Sequence, residues 1–242
     1  MTTPPSSLSV DVNNLSFGYT KGDNIIETSS FQVKKEETIA LTGLSGTGKS
    51  TIGYILKGII PHSIHGYLQG SINVEGYDIK KEKISTIAKR VGMVFQNPET
   101  QIFSSTVLEE IQFGLKNLKM DLNLAESALK SLKIEHLANK MPMNLSAGQK
   151  QHVVLASVIA TQPQLLILDE PTSHLDAPSK INLKNWLKDL CHIHGMTIII
   201  IDQDPWIIGE LCENCLFVEN KRVKPVRKED IMHQDTCWRW NF

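Results

Sequence analysis

Gly43, Gly48, Lys49 and Ser50 stand at the fixed positions of the pattern G-x-x-x-x-G-K-[ST], inside the stretch GLSGTGKST at 43–51. Glycines there let backbone N–H groups turn inward around phosphate oxygens, and a following helix N-terminus adds positive potential. Lys49 is the residue to reach the terminal phosphates, and the Ser50 hydroxyl can ligate Mg²⁺. Ser45, Gly46 and Thr51 complete the cradle. The flanks fit this chemistry: ETIALTG before the loop reads as a short apolar strand, and TIGYILKGI after it reads as a helix. An ordinary glycine-rich turn would not need that context. The pattern predicts binding of a nucleoside triphosphate.

A second stretch could supply the rest of a phosphate-transfer site. Leu165-Leu166-Ile167-Leu168 is an apolar run that ends in Asp169 and Glu170. Asp169 can serve the Mg²⁺ shell beside a nucleotide. Glu170, one residue on, is expected to point the other way along an extended chain and to polarise an attacking water. Between the two stretches lies Asn144-Leu145-Ser146-Ala147-Gly148-Gln149, followed by a helical run. Ser146 is a plausible N-cap, and its hydroxyl with the free amides of Ala147 and Gly148 could hold a second phosphate. One chain needs only one cradle, so this second one is surplus.

Composition narrows the classes. The chain has 242 residues, 41% of them hydrophobic, and a formal charge of −1. That suffices for one large core with a smaller lobe. The near balance of charge argues against a protein held to nucleic acid by phosphate contacts. Apolar stretches such as Val153–Ala160 and Ile198–Ile201 fall well short of the roughly 20 residues that cross a bilayer. The start, MTTPPSSLSV, lacks the basic and apolar regions of a signal peptide and reads as a loose lead-in. Cys191, Cys212, Cys215 and Cys237 fit a reducing compartment, and a cytosolic location is expected. Cys212 and Cys215 have the spacing of a redox pair or half a zinc site. No second CxxC follows, and both fall where a helix hands over to the strand CLFVE, a usual place for buried thiols.

Buried-strand patterns recur as ETIALTG, RVGMVFQ, LLILDE and TIIIID, most of them separated by helical segments, which is an α/β pattern. From about Ser104 to Ala160 the pattern is helical only. The expectation is a single domain over 1–242 with a helical subdomain at about 100–160 that carries the serine-led turn.

The stretches GLSGTGKST, Phe95-Gln96-Asn97-Pro98, LSAGQ, LLILDEP and Ser173-His174-Leu175-Asp176 resemble, in order and spacing, the ATP-binding cassette (ABC) ATPases over nearly the whole chain. The resemblance implies a P-loop nucleotide-binding domain with ATP and Mg²⁺ as cofactors. It also explains the surplus cradle. Such domains pair head to tail, so that the signature segment with Ser146, Gly148 and Gln149, and the D-loop with Asp176, face ATP held by the partner's phosphate loop. By resemblance Gln96 meets Mg²⁺ and water and reports nucleotide state to a membrane partner. Tyr19 matches the aromatic residue that stacks on adenine, the alternative being a core tyrosine on an early strand.

Within the family, FQNPETQIF followed by TVLEEIQFG resembles the ATPases of energy-coupling factor (ECF) importers. This implies a second ABC ATPase, the same chain or by preference a different one. It implies a membrane coupling protein and a substrate-binding membrane component for a vitamin or a cobalt or nickel ion, and a place on the cytoplasmic face of the membrane. No nucleic acid is implied. Three residues depart from the family pattern. Gln203, in Ile201-Asp202-Gln203-Asp204 where Thr-His-Asp is usual, replaces the switch histidine with a neutral amide that takes up no proton. Ala147 replaces a glycine of LSGGQ, and His152 replaces an arginine. His174 could compensate from the D-loop, and the aromatics of Cys237–Phe242 could anchor a partner or pack on their own domain. The expected reaction is ATP + H₂O → ADP + phosphate, slow at this chain's own site.

Overall fold

The computed structural model describes residues 7–173 and 175–232. Most of the N-terminal lead-in, His174 and the aromatic tail with Cys237 therefore lie outside the described residues.

The chain opens with β1 (Leu8–Gly18) and β2 (Ile26–Lys34), reaches β3 (Thr38–Gly43), and turns into α1 (Lys49–Leu56) and the short α2 (Ile59–His62). It continues through β4 (Tyr67–Val74), β5 (Tyr77–Asp78), α3 (Ile84–Ala88) and β6 (Val91–Val94). A helical stretch follows, with α4 (Val107–Leu118), α5 (Leu124–Ser131) and α6 (Ala147–Ile159). The last part holds β7 (Leu165–Asp169), α7 (Ala177–His192), β8 (Thr197–Ile201), α8 (Pro205–Leu211), β9 (Asn214–Glu219), β10 (Arg222–Arg227) and α9 (Lys228–Met232).

Two sheets result. The larger has the order β10-β9-β3-β8-β7-β6, and every neighbour pair from β9 to β6 is parallel. Its central strands are buried along their whole length, which is why TIALTG, LLILD and TIIII read as unbroken apolar runs. Side chains alternate between faces. Ala40, Leu166, Leu168, Ile198 and Ile200 join the core under the helical stretch. Their neighbours Ile39, Leu41, Leu165, Ile167, Ile199 and Ile201 join a second core, with Ile52 and Ile55 of α1.

The smaller sheet, β2-β1-β4-β5, is antiparallel and covers that second core. Sequence reading does not foresee it. Its long strand β1 shifts register three times, and Asn14 adopts φ 54°, so the period-two alternation that marks a half-buried strand is broken.

Between β6 and β7 the chain builds helices and no strand. Thr106 starts α4 with a capping box: its hydroxyl accepts the Glu109 N–H, and the Glu109 carboxylate accepts the Thr106 N–H. Ile111, Leu115, Leu129, Val153 and Leu155 pack these helices together and onto the sheet face above.

Candidate nucleotide site

The strand order fixes the site. β3, β8, β7 and β6 are consecutive neighbours, and each ends, at the same edge of the sheet, in a residue singled out from sequence. Ligands of open α/β sheets sit outside the carboxyl ends of the strands. In sheet order those ends carry the phosphate loop, Gln203, the Asp169-Glu170 pair and Gln96.

The loop after β3 has the backbone that its glycines permit. Gly43 has φ 139°, and a Cβ there would lie 2.4 Å from the Val218 carbonyl oxygen. Gly48, the N-cap of α1, has φ 95°. Lys49 is buried, and its ammonium donates to the carbonyls of Gly43 at 2.9 Å and Leu44 at 2.7 Å, curling along the loop. Burial lowers its pKa, while Glu170, Asp169 and Asp202 pull the other way. Ser45 and Gly46 are exposed on the rim, and Thr51 is buried in α1.

Asp169 closes β7 at 3% exposure. Burial raises its pKa, and a hydrogen bond from Ser50 offsets part of that rise. A buried carboxylate beside a hydroxyl offers two oxygen donors to a hard cation. Among the described residues no group of three or more His, Cys, Asp or Glu could hold a metal ion. One carboxylate and one hydroxyl fit Mg²⁺, which takes one or two protein oxygens and completes its shell with water and substrate phosphates. Ser50, Asp169 and Gln96 are the side chains that would hold it.

Glu170 corrects one expectation. It is not a further extended residue: its φ is 47°, in the left-handed region, and its N–H donates to the Ile201 carbonyl at 2.8 Å. The strand has ended, and the turn, not alternation along a strand, aims the carboxylate. Gln96 Nε2 donates to Glu170 Oε2 at 2.6 Å, so side chains 74 positions apart in sequence meet across the tips of β6 and β7. A non-glycine residue in that region is strained and persists where its surroundings hold it.

Gln203 is half-buried just past β8, and its N–H donates to Asp202 Oδ1 at 2.7 Å. Tyr19 lies just beyond β1 and is 42% exposed, which removes the core-tyrosine alternative. Its hydroxyl pairs with the Thr51 hydroxyl at 3.1 Å, and its ring meets the Phe17 ring edge-on at 4.9 Å.

A second group gathers at the starts of α6 and α7. Ser146 caps α6 as the sequence suggests, and its exchange of hydrogen bonds with Gln149, at 3.3 and 3.1 Å, forms a full capping box. Ser146 and Ala147 are both exposed. Asp176 caps α7 by accepting the Ser179 N–H at 2.9 Å, and hydrogen bonds from Ser179 hold its carboxyl below the usual range. A Cβ on Gly148 would come within 3.2 Å of Ser179 Oγ, so the signature turn and the D-loop abut. Lys150, one turn into α6, forms an ion pair with Glu99 in the 3₁₀ turn Pro98–Gln101 that follows Gln96.

His152 is no stand-in for an arginine. Its ring packs edge-on against Trp186 at 4.2 Å, its Nε2 is buried without a hydrogen-bond partner, and burial pushes its pKa down to about 4. Cys212 and Cys215 are buried, and burial raises both thiols, Cys215 to about 11. Such thiols are inert.

Cavity size does not mark this site. A cavity of about 750 Å³ lies between β1, β2, β9 and β10 and touches none of the strand-tip residues, whereas one of about 410 Å³ flanks the phosphate loop at Leu44, Gly46 and Thr47. Asp202 and Thr172 also belong to these strand ends, joined by a hydrogen bond from the Thr172 hydroxyl at 2.9 Å. Their signal was a lone acid after TIIII and an ordinary threonine after Glu170-Pro171, neither of which stands out before the two strand ends are seen side by side.

Fold and site together define a P-loop nucleotide-binding domain. The family model described as ABC transporter matches residues 26–173, and the chain belongs to that family. It is 39% identical over 220 residues to the energy-coupling factor transporter ATP-binding protein EcfA1 of Fusobacterium nucleatum, covering 89% of this chain and 80% of that one. An ABC transporter ATP-binding protein of Pyrococcus abyssi is 35% identical over 219 residues, with 88% and 78% covered. The structure of CbiO1 from Clostridium perfringens, described as part of the ABC transporter complex CbiONQ, superposes with a TM-score of 0.84 at 30% identity, covering 95% of this chain and 92% of that one. Several other relatives are longer, and the chain spans less than half of each. Among the described residues no helix is long and apolar enough to cross a membrane.

Proposed function

We propose that this chain is the ATP-binding and hydrolysing subunit of an ECF-type importer, powering uptake of a vitamin or a transition-metal ion from the cytoplasmic face of the membrane. The observation that carries the reading is the line of strand tips bearing Lys49, Gln203, Asp169, Glu170 and Gln96, with Gln96 bonded to Glu170 at 2.6 Å. The similarity to EcfA1 supports the choice of importer.

In this reading the phosphate loop from Gly43 to Thr51 binds the triphosphate and Tyr19 stacks on the base. Ser50, Asp169 and Gln96 would hold Mg²⁺, which would supply neutralisation of phosphate charge. Lys49 moves from loop carbonyls to phosphate oxygens. Glu170 accepts a hydrogen bond from the attacking water and draws its proton away as the water attacks, and Gln96 holds that carboxylate in place. Ser146, Gly148, Gln149 and Asp176 act on ATP held by a second cassette, identical or different. The exposure of Ser146 and Asp176, and the distinct position of the group at the starts of α6 and α7, support a task toward a partner. ATP drives closure only by its differential affinity for the closed pair.

An apolar patch supports a docking face for the membrane coupling protein. Phe103 is 64% exposed and packs edge-on against Phe113, itself 43% exposed, at 4.6 Å. The buried Glu110 accepts the N–H groups of Phe103 and Ser104 and holds that loop on α4. The patch lies directly after the Gln96 segment.

Gln203 favours one variant of the reading, in which this chain is the catalytically weak half of an asymmetric pair. Phosphate release by the purified chain tests it. Gln203→His is expected to raise turnover by up to about 10²-fold, the cost of one missing transition-state partner, and Glu170→Gln to abolish it. If Gln203→His leaves the rate unchanged while Glu170→Gln abolishes it, Gln203 is not the limiting defect.

A further inference from the structure

Asp202 occupies the position where a threonine precedes the switch histidine in the family pattern. It is 6% exposed. Its Oδ1 accepts the N–H of Gln203 at 2.7 Å and the N–H of Asp204 at 2.9 Å. Its Oδ2 accepts the Thr172 hydroxyl at 2.9 Å. A carboxylate is costly to bury, and three donors on two oxygens are what makes this one tolerable. A threonine hydroxyl could not serve all three.

The partners sit on different strand ends. Gln203 and Asp204 follow β8, while Thr172 lies in the turn after β7, two residues beyond Glu170. That turn is already tied to β8 by the Glu170 N–H on the Ile201 carbonyl at 2.8 Å. Asp202 adds a side-chain tie on the far side of Glu170, so the left-handed residue is clamped from both directions. The outer part of the loop is anchored separately, by the Asp204–Lys180 ion pair at 2.7 Å.

We propose that Asp202 is a positioning residue for hydrolysis: it holds the loop of Gln203 and the turn of Glu170 in one fixed register. The proposal rests on the reading of Glu170 and Gln203 as hydrolytic residues. It differs from a charge effect on the nearby Lys49, and the choice of variant separates the two. Asn at 202 keeps an acceptor oxygen for both amides, and its amide can donate to the Thr172 hydroxyl, but it carries no charge.

The test uses the full chain, with steady-state kinetics in MgATP and hydrogen exchange of the 200–207 segment. Asp202→Ala is expected to lower kcat roughly 10- to 100-fold, as small misplacement of catalytic groups does, with KM for ATP within about twofold. Amide exchange at Gln203 and Asp204 should accelerate. Asp202→Asn should recover most of kcat and of the protection. Thr172→Val, which removes only the cross-strand bond, should lower kcat with KM unchanged, and should add little on top of Asp202→Ala.

Equal loss in Asp202→Asn and Asp202→Ala would overturn the tether in favour of charge. Unchanged exchange in Asp202→Ala, or unchanged kcat in Thr172→Val, would also overturn it. Should Asp202→Ala not fold, the Thr172→Val kinetics and Asp202→Asn exchange decide. Glu170→Gln is measured alongside: turnover surviving that change refutes the hydrolytic reading itself, an outcome distinct from failure of the tether.

Discussion

A neutral carboxamide at 203 and a neutral imidazole at 152 stand where the family pattern has groups that carry or take up charge. The two replacements differ in consequence. Gln203 lies at the strand tips with the residues proposed for hydrolysis, so its effect is expected in turnover. His152 lies under Trp186, so its effect belongs to stability. Its pKa falls from its ordinary 6.5 to about 4, which means that the folded chain binds fewer protons than the unfolded chain between those values. Stability contributed by neutral His152 is therefore full above about pH 6.5 and is lost as pH falls toward 4, by at most about 3 kcal/mol. Asp169 and Asp202, whose pKa values are raised by burial, act in the opposite direction. Replacing His152 with Gln removes only the first contribution. Thermal melts from pH 7 to 4.5 should show a shallower acid decline for His152→Gln than for the unaltered chain, and parallel curves would refute the burial argument.

The elements that carry the site are legible in the sequence to different degrees. The parallel strands were readable because both faces of the sheet are covered, so each appears as a solid apolar run ending at its functional residue. Ser146 was readable as a cap because its hydroxyl and the Gln149 side chain form a local box. The antiparallel sheet was not, because bulges at Asn13-Asn14 and beyond break its alternation. The aim of Glu170 was not either, since a left-handed turn after a strand leaves no periodic trace. The Gln96–Glu170 and Asp202–Thr172 bonds join residues 74 and 30 positions apart, and only strand order brings them together. Local signals do make local predictions. Thr106 caps α4 and belongs to no proposed nucleotide contact, so Thr106→Ala should cost about 1 kcal/mol and lower the melting temperature by about 2–4 °C. ATP affinity should not change. A loss of nucleotide binding in that variant would show that the α4 start is coupled to the phosphate loop and that the cap is not purely local.

For the whole molecule, the division into two groups of functional residues is the feature with the largest consequence. The strand tips carry the proposed triphosphate site, while Ser146 and Asp176 are exposed at the starts of α6 and α7. Taken with Gln203, this makes an asymmetric pair testable in a specific way. A chain whose own site is slow still lends its signature turn to the partner's faster site. Damage to Ser146 should then cost the assembly more than damage to Glu170. The direct measurement is MgATP turnover by the membrane complex recovered on this chain, comparing Ser146→Arg with Glu170→Gln. The account predicts near-complete loss for Ser146→Arg, with ATP binding at this chain's own loop retained, and only a modest fall for Glu170→Gln. Turnover untouched by Ser146→Arg would contradict it.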